Sequence, residues 1–322
     1  MTPPLNTNNP PSHLFDYTKH PNNPKDPKKF CPDLTLTGHS GEGYGLAWST
    51  KAQGHLLSCG EDKKICLWDI NGLDQNKQSQ SSNSNILPAQ QTFLGHSDYV
   101  EDIAWHSKSA NIFGSVGDDK NLMIWDTKAA SSPMHKISNA HNGAINSIAF
   151  NPWSDYIFAT GSDDENLCLW DLRNLKIKLH TFESHNDSVY NISWCPQNET
   201  ILASASSDRR VMVWDLAKIG EEQSHEEMED GPPELLFIHG GHTSKVTDID
   251  WNFNVPWLMA SVGEDNQVQF WQMAENIYED VDIYAEKENQ KQSNSSDVTA
   301  KQLSPLKSVV SGQQVNWIYK FL

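Results

Sequence analysis

One spacing constrains this 322-residue chain more than any other feature. Five times a histidine is followed, 29 residues later, by a tryptophan. The pairs are His39 and Trp68, His96 and Trp125, His141 and Trp170, His185 and Trp214, and His242 and Trp271. A hydroxyl residue stands ten positions before each tryptophan (Ser58, Ser115, Thr160, Ser204, Ser261) and an aspartate six before it (Asp62, Asp119, Asp164, Asp208, Asp265). An aromatic follows each histidine by nine (Trp48, Trp105, Phe150, Trp194, Trp251). Positions held in register over five copies define an internal repeat, and the repeat decides the fold before any single motif does.

Within a unit the apolar runs are short and bounded by Gly, Asp and Asn, as hairpin strands are. In the first, Gly45–Trp48, Leu56–Cys59 and Ile65–Trp68 read as strands around a turn at Gly60–Lys63, with a fourth strand just before the next histidine, as in Thr92–Leu94 or His180–Phe182. A four-stranded unit of about 40–45 residues that opens on Gly-His and closes on Trp-Asp is a β-propeller blade. The expected fold is therefore an all-β propeller with five complete blades, at about 34–90, 91–135, 136–179, 180–236 and 237–278, plus a trailing strand of a sixth. That strand is His13-Leu14-Phe15-Asp16, which resembles the end of one more unit. Two gaps between units are long because of insertions after the Trp-Asp: the Gln/Ser/Asn-rich Asn71–Gln90, read as a flexible loop, and the acidic Gly220–Glu234. Residues 1–12 read as disordered, 17–33 as a linker, Gln272–Tyr278 as a short helix, and 279–322 as a polar tail with an apolar end.

The repeated polar positions have a structural use. The aspartate can accept from the histidine ring, the histidine can reach the hydroxyl, and the hydroxyl can accept from the indole, which satisfies every buried polar group in turn. Ser, His and Asp are also the residue types of a hydrolase triad. A triad needs one exposed nucleophile beside an oxyanion hole, whereas this trio occurs five times, always with a tryptophan, and without GxSxG. P-loop, GxGxxG and HExxH are absent as well. No enzymatic activity, cofactor or metal is expected. Cys31, Cys59, Cys66, Cys168 and Cys195 contain no CxxC pair and read as buried thiols of a reducing compartment. No apolar run is long enough to span a membrane and no secretory signal follows Met1. The net charge of −18 excludes broad, sequence-independent binding to duplex phosphates; it suits a basic partner, and it equally suits solubility alone.

Several stretches go beyond the repeat itself. They include Phe15-Asp16-Tyr17-Thr18-Lys19-His20-Pro21, Gly43-Tyr44-Gly45-Leu46, Asp171-Leu172-Arg173-Asn174-Leu175, the run from Gly231-Pro232-Pro233 to His242, and Met273-Ala274-Glu275-Asn276-Ile277-Tyr278. Over residues 13–278 the chain resembles the retinoblastoma-associated, Msi-type histone-binding WD-repeat family, the small-subunit type of chromatin assembly factors. The resemblance implies a nuclear, and also cytoplasmic, histone chaperone or scaffold subunit. Such subunits serve chromatin assembly, deacetylase, remodelling or Polycomb-type complexes and bind histones H3 and H4 and larger complex subunits. It also implies two sites. A groove for a histone H4 helix would use Glu229, Asp230, Gly231, Pro232, Pro233, Ile277 and Tyr278. The top of the channel, which takes a basic extended peptide such as the histone H3 tail, would use Glu42, Tyr44, Glu101, Asn146, Tyr190 and Glu264. The chain departs from the family in reading as N-terminally shortened: five complete units replace seven, the N-terminal helix has no counterpart, and Ser188 stands at one acidic position.

Charge alone points to the same rim. The positions three and five after each histidine, and the residue before each turn aspartate, gather Glu42, Glu61, Glu101, Asp118, Asp163 and Glu264 on one face, with Tyr44 and Tyr190 between them. Carboxylates beside aromatic faces suit lysine and arginine; a merely solvated acidic face is the plainer reading. Trp170-Asp171-Leu172-Arg173 also resembles the motif by which WD-repeat substrate receptors dock on cullin-ring ubiquitin ligases, with Arg173 as the contact. That reading, and a scaffold without histone contact, stand as alternatives to the histone-binding one.

Overall fold

The computed structural model describes residues 12–16, 32–72, 85–129 and 132–278. Expectations for residues 1–11, 17–31 (with Cys31), 73–84 and 279–322 lie outside the described residues. The chain divides into two compact units, residues 1–12 with 35–273, and residues 13–34 with 274–322.

The first unit is a series of antiparallel sheets. Blade 1 comprises Gly43–Trp48, His55–Gly60, Lys64–Asp69 and Gln91–Leu94. Blade 2 comprises Val100–Trp105, Ile112–Gly117, Leu122–Asp126 and His135–Ile137. Blade 3 comprises Ile145–Phe150, Ile157–Ser162, Asn166–Asp171 and His180–Glu183. Blade 4 comprises Val189–Trp194, Ile201–Ser206, Val211–Asp215 and Leu235–His239. Blade 5 has three strands among the described residues, Val246–Trp251, Leu258–Gly263 and Val268–Gln272.

The sheets are displaced from the sequence units 34–90, 91–135 and onward. Gln91–Leu94 precedes His96, yet it pairs with Lys64–Asp69 and closes the outer edge of blade 1. The chain leaves a blade only after closing that edge, so each sequence unit begins with the last strand of the preceding sheet. Leu34–Thr37 accordingly lies outside blade 1 and pairs in parallel with Ile86–Pro88. This corrects the reading of Asn71–Gln90 as loop throughout: its end is a strand. The acidic insertion also holds a one-turn helix, Glu227–Asp230, and the helix expected over 272–278 covers 275–278.

Sandwiching between neighbours explains the composition of the strands. The second and third strands of blades 1 to 4 are buried along nearly their whole length. They therefore carry apolar or small residues on both faces instead of alternating with charged ones. The junctions are built alike. Ile65, Leu67 and Phe93 meet Val100, Ile103 and Trp105; Leu122 and Ile124 meet Ile145, Ile148 and Phe150; Leu167, Leu169 and Phe182 meet Val189, Ile192 and Trp194. Burying each such side chain contributes about 1.5–3 kcal/mol.

Two backbone features recur in every blade. The residue after each turn aspartate is left-handed without being glycine: Lys63 (φ 64°), Lys120 (59°), Glu165 (69°), Arg209 (69°) and Asn266 (58°). The aspartate carboxylate accepts the N–H two residues on, at 3.0–3.2 Å, and holds the turn closed. The first strand of each blade carries a bulge at the same place, between Gly43 and Leu46, Val100 and Asp102, Ile145 and Ser147, Val189 and Asn191, and Val246 and Asp248.

In the second unit the described residues include His13–Asp16. Asp33 N–H donates to the Leu14 carbonyl (3.0 Å) and Asp16 N–H to the Asp33 carboxylate (2.8 Å).

Candidate functional site

The repeated polar residues form the inner frame. In blade 2, His96 Nδ1 lies 3.0 Å from Asp119 and Nε2 lies 2.7 Å from Ser115 Oγ, which accepts the Trp125 indole N–H at 2.8 Å. The tetrads His141, Asp164, Thr160, Trp170; His185, Asp208, Ser204, Trp214; and His242, Asp265, Ser261, Trp271 repeat this within 2.7–3.1 Å. Blade 1 differs. His39 contacts Asp62 (2.9 Å) and Ser58 (2.6 Å), but the buried Trp68 indole N–H finds no hydrogen-bond partner among the described residues. Burial would raise the Asp119 and Asp164 carboxyls; bonds from His96 and His141 and from backbone N–H groups outweigh it and hold both far below the usual range. Both ring nitrogens of each imidazole are engaged inside the protein, and in blades 2 to 5 the hydroxyl also accepts an indole N–H, so none of these hydroxyls is poised as a nucleophile.

The outer layer is the rim. The bulge leaves one residue in blades 2 to 5, and two in blade 1, without a cross-strand partner and re-aims the side chain there. Glu101, Asn146, Tyr190 and Thr247 occupy these positions, and Tyr44 with Gly45 does so in blade 1. These positions lie five residues after each histidine, and four of the six channel-top candidates are among them. Turn carboxylates stand alongside. Glu61 accepts the Glu42 N–H and the Tyr99 hydroxyl, each at 3.3 Å, and the Tyr99 ring lies 6.2 Å from that of Tyr44. The Asn146 amide donates to Asp163 (2.7 Å) and across to the Val189 carbonyl (3.0 Å). Burial, then the nearby Asp118, Asp163 and Asp102, push Glu101 up to about 7. Tyr44 is raised by burial and by Glu101, Glu61 and Glu42. Ser188 N–H donates to Asp187 (2.8 Å).

Three features of this rim escape sequence reasoning. Lys245 pairs with Glu264 at 2.7 Å and lies 5.2 Å over the Tyr190 ring. A lysine of the chain itself thus sits in the carboxylate-and-aromatic cradle expected for a partner's lysine. Asp102 is half-buried. Burial pushes it up to about 7 against donors from Ile103 (2.8 Å) and from Ile148 of the next blade (2.9 Å). Finally, Lys63 donates to the Ser97 carbonyl (2.7 Å) and Lys120 to the Asn142 carbonyl (2.5 Å), so two turn lysines tie neighbouring blades together at the rim.

The groove candidates fall into both units. In the first, Ser224 and Glu227 form a reciprocal capping box: Ser224 N–H donates to the Glu227 carboxylate (2.7 Å) and Glu227 N–H to Ser224 Oγ (3.3 Å). The helix presents exposed Glu229 and Asp230 and ends at Gly231, whose φ of 127° excludes a side chain without strain. Pro232 accepts the Leu235 N–H (2.9 Å), and the buried Glu234 next to Pro233 pairs with His180 (2.7 Å). In the second unit, Ile277 N–H donates to the Ala274 carbonyl (2.9 Å), and Ile277 and Tyr278 are half-buried. Arg173 closes on its own motif: it forks onto Asp171 at 2.6–3.1 Å and stacks 4.5 Å from the Tyr156 ring.

Sheets of this construction, tied by one histidine-centred network per blade, define a propeller that offers loops and edges to other proteins. The family profile for the WD domain, G-beta repeat, matches residues 30–69, 88–126, 131–171, 176–215 and 233–272, and the chain belongs to that family. It is a WD-repeat β-propeller with the role of a protein-interaction scaffold.

Proposed function

We propose that this scaffold is a non-catalytic histone-binding subunit of the retinoblastoma-associated, Msi type, working in the nucleus within chromatin assembly, deacetylase, remodelling or Polycomb-type complexes. The supporting observation is the rim: bulged residues Tyr44, Glu101, Asn146 and Tyr190 beside the carboxylates of Glu61, Asp118, Asp163 and Glu264. A basic extended peptide laid across them neutralises carboxylates that now repel one another, and its lysines find aromatic faces. The mechanism is passive, and the partner's own positive charge supplies both steering and affinity.

Calorimetry with an unmodified histone H3 N-terminal peptide tests this. Binding at low salt that weakens as salt rises is expected, and Glu101→Lys should abolish it. No heat at low salt, or unchanged affinity in Glu101→Lys, would remove the rim from consideration.

Lys245 supplies a second test. Because it occupies Glu264 and Tyr190, Lys245→Met should free the cradle and tighten a lysine-bearing peptide by roughly fivefold, the worth of one exposed charge pair of about 1 kcal/mol. Weaker binding by Lys245→Met would mean that Lys245 organises the cradle instead of filling it.

A further inference from the structure

The outer strand of blade 2, His135–Ile137, is the last of its sheet. It pairs with Leu122–Ile124 on one side and with no described strand on the other. Beside that free edge runs a groove of about 430 Å³. His135, Lys136, Ile137 and Ser138 form one wall, and Leu175 and Lys176 of blade 3 form the other. Ile137 and Leu175 pack against the core beneath and make part of the groove apolar. Two lysines and a histidine line it and no carboxylate does, in a chain of net charge −18.

The next junction shows what this edge lacks. His180 begins the outer strand of blade 3 as His135 begins that of blade 2, and each stands opposite the residue before its tetrad tryptophan, Leu169 and Ile124. His180 is met by Glu234 at 2.7 Å, a buried acid just before the outer strand of blade 4. The run that leads into the outer strand of blade 3 has no acid to offer His135. It reads Leu175-Lys176-Ile177-Lys178-Leu179. Lys178 lies 5.8 Å over the Trp170 ring, and Lys176 lines the groove. One outer edge thus receives an acid from the chain itself, and its neighbour receives lysines instead.

We propose that the groove takes an acidic, extended segment of another protein. The segment lies along His135–Ile137 as an added strand, its main chain pairing with the free edge. Its carboxylates meet His135, Lys136 and Lys176 in charge-assisted hydrogen bonds, and its apolar side chains cover Ile137 and Leu175. The site does not depend on the histone reading. It lies at an outer strand, away from the turns of the rim, and selects the opposite charge. A scaffold with both sites holds a basic and an acidic partner at once.

The probe is a fluorescein-labelled, end-blocked heptapeptide of alternating glutamate and valine, titrated with the full chain by fluorescence anisotropy. At about 0.15 M salt the screening length of about 8 Å hides distant carboxylates and leaves contacts within the groove in force. Saturable binding is expected. Lys136→Glu combined with Lys176→Glu should weaken it about tenfold, the worth of two exposed charge pairs. Lys51→Glu, the same change at an exposed lysine of blade 1, should leave it unaltered. The peptide with glutamine for glutamate should not bind. Amide hydrogen exchange should slow across residues 132–140 and 172–179 when the acidic peptide is added. No binding, an equal loss in Lys51→Glu, equal binding of the glutamine peptide, or protection confined to other segments would each overturn the proposal. Protection of 132–140 that grows with the concentration of the chain alone would assign the edge to a second copy and overturn it as well.

Discussion

Asp119→Ala should destabilise the protein by about 3 kcal/mol, the scale of breaking a buried, hydrogen-bonded pair. The carboxylate contacts His96 (3.0 Å), the Ser97 N–H (2.9 Å), the Asn121 N–H (3.1 Å) and the Asn121 amide (2.8 Å). Removing it leaves a buried imidazole without its partner and opens the turn whose left-handed Lys120 that carboxylate stabilises. The equivalent Asp62→Ala should cost less, because the network of blade 1 stops at Ser58 and never reaches the Trp68 indole. The pH dependence has a definite sign. Asp119 is held low in the folded state, so its contribution is present above the unfolded value of about 4 and is lost as pH falls below it. Urea denaturation at neutral pH measures the difference between the two variants. Equal losses for Asp119→Ala and Asp62→Ala would show that the indole link adds nothing.

The tetrads of blades 2 to 5 were legible because four residue types recur in fixed register, as in a stacked repeat; the break at the Trp68 indole in blade 1, where the same four types stand, was not. The strands were legible because sandwiched strands are short apolar runs. What stayed hidden depends on pairing. Nothing in Val100-Glu101-Asp102 announces that Glu101 bulges out while Asp102 turns inward; that follows from Val100 pairing with Gly117 and Asp102 with Val116. Lys245 was visible as a rim residue, but its choice of Glu264 and Tyr190 depends on two different blades. Ile86–Pro88 was hidden in a low-complexity insertion because its partner, Leu34–Thr37, is some fifty residues away in sequence. The one-turn helix Glu227–Asp230 did have a signal, the Ser224-x-x-Glu227 capping box, in a stretch where composition spoke only of acidity.

Binding of a peptide whose only ionisable side chains are Lys and Arg should strengthen about tenfold between about pH 6 and about pH 8, where a carboxyl near 7 passes from mostly neutral to mostly charged. The group is Glu101. Burial, and then Asp118, Asp163 and Asp102, keep it protonated to an unusually high pH. A bound cation favours its charged form, so binding releases a proton, and affinity rises with pH through that range. The same shift acts on stability with the opposite sense. An acid that holds its proton more tightly when folded makes the folded state less stable as pH climbs from about 4 towards about 7. In the proposed function, a basic partner that favours the charged form of Glu101 restores part of that lost stability. Other groups can titrate in the window: His141, raised by Asp164 despite burial, and Asp102, one residue from Glu101. Glu101→Gln keeps all of them and removes only the rim carboxyl. It should bind more weakly at about pH 8 and show a flat profile down to about pH 6. Calorimetry in two buffers of different ionisation enthalpy counts the proton directly: wild type should release a fraction of one near neutral pH, and Glu101→Gln none. A Glu101→Gln profile as steep as that of wild type would move the linkage to Asp102, and Asp102→Asn should then flatten it.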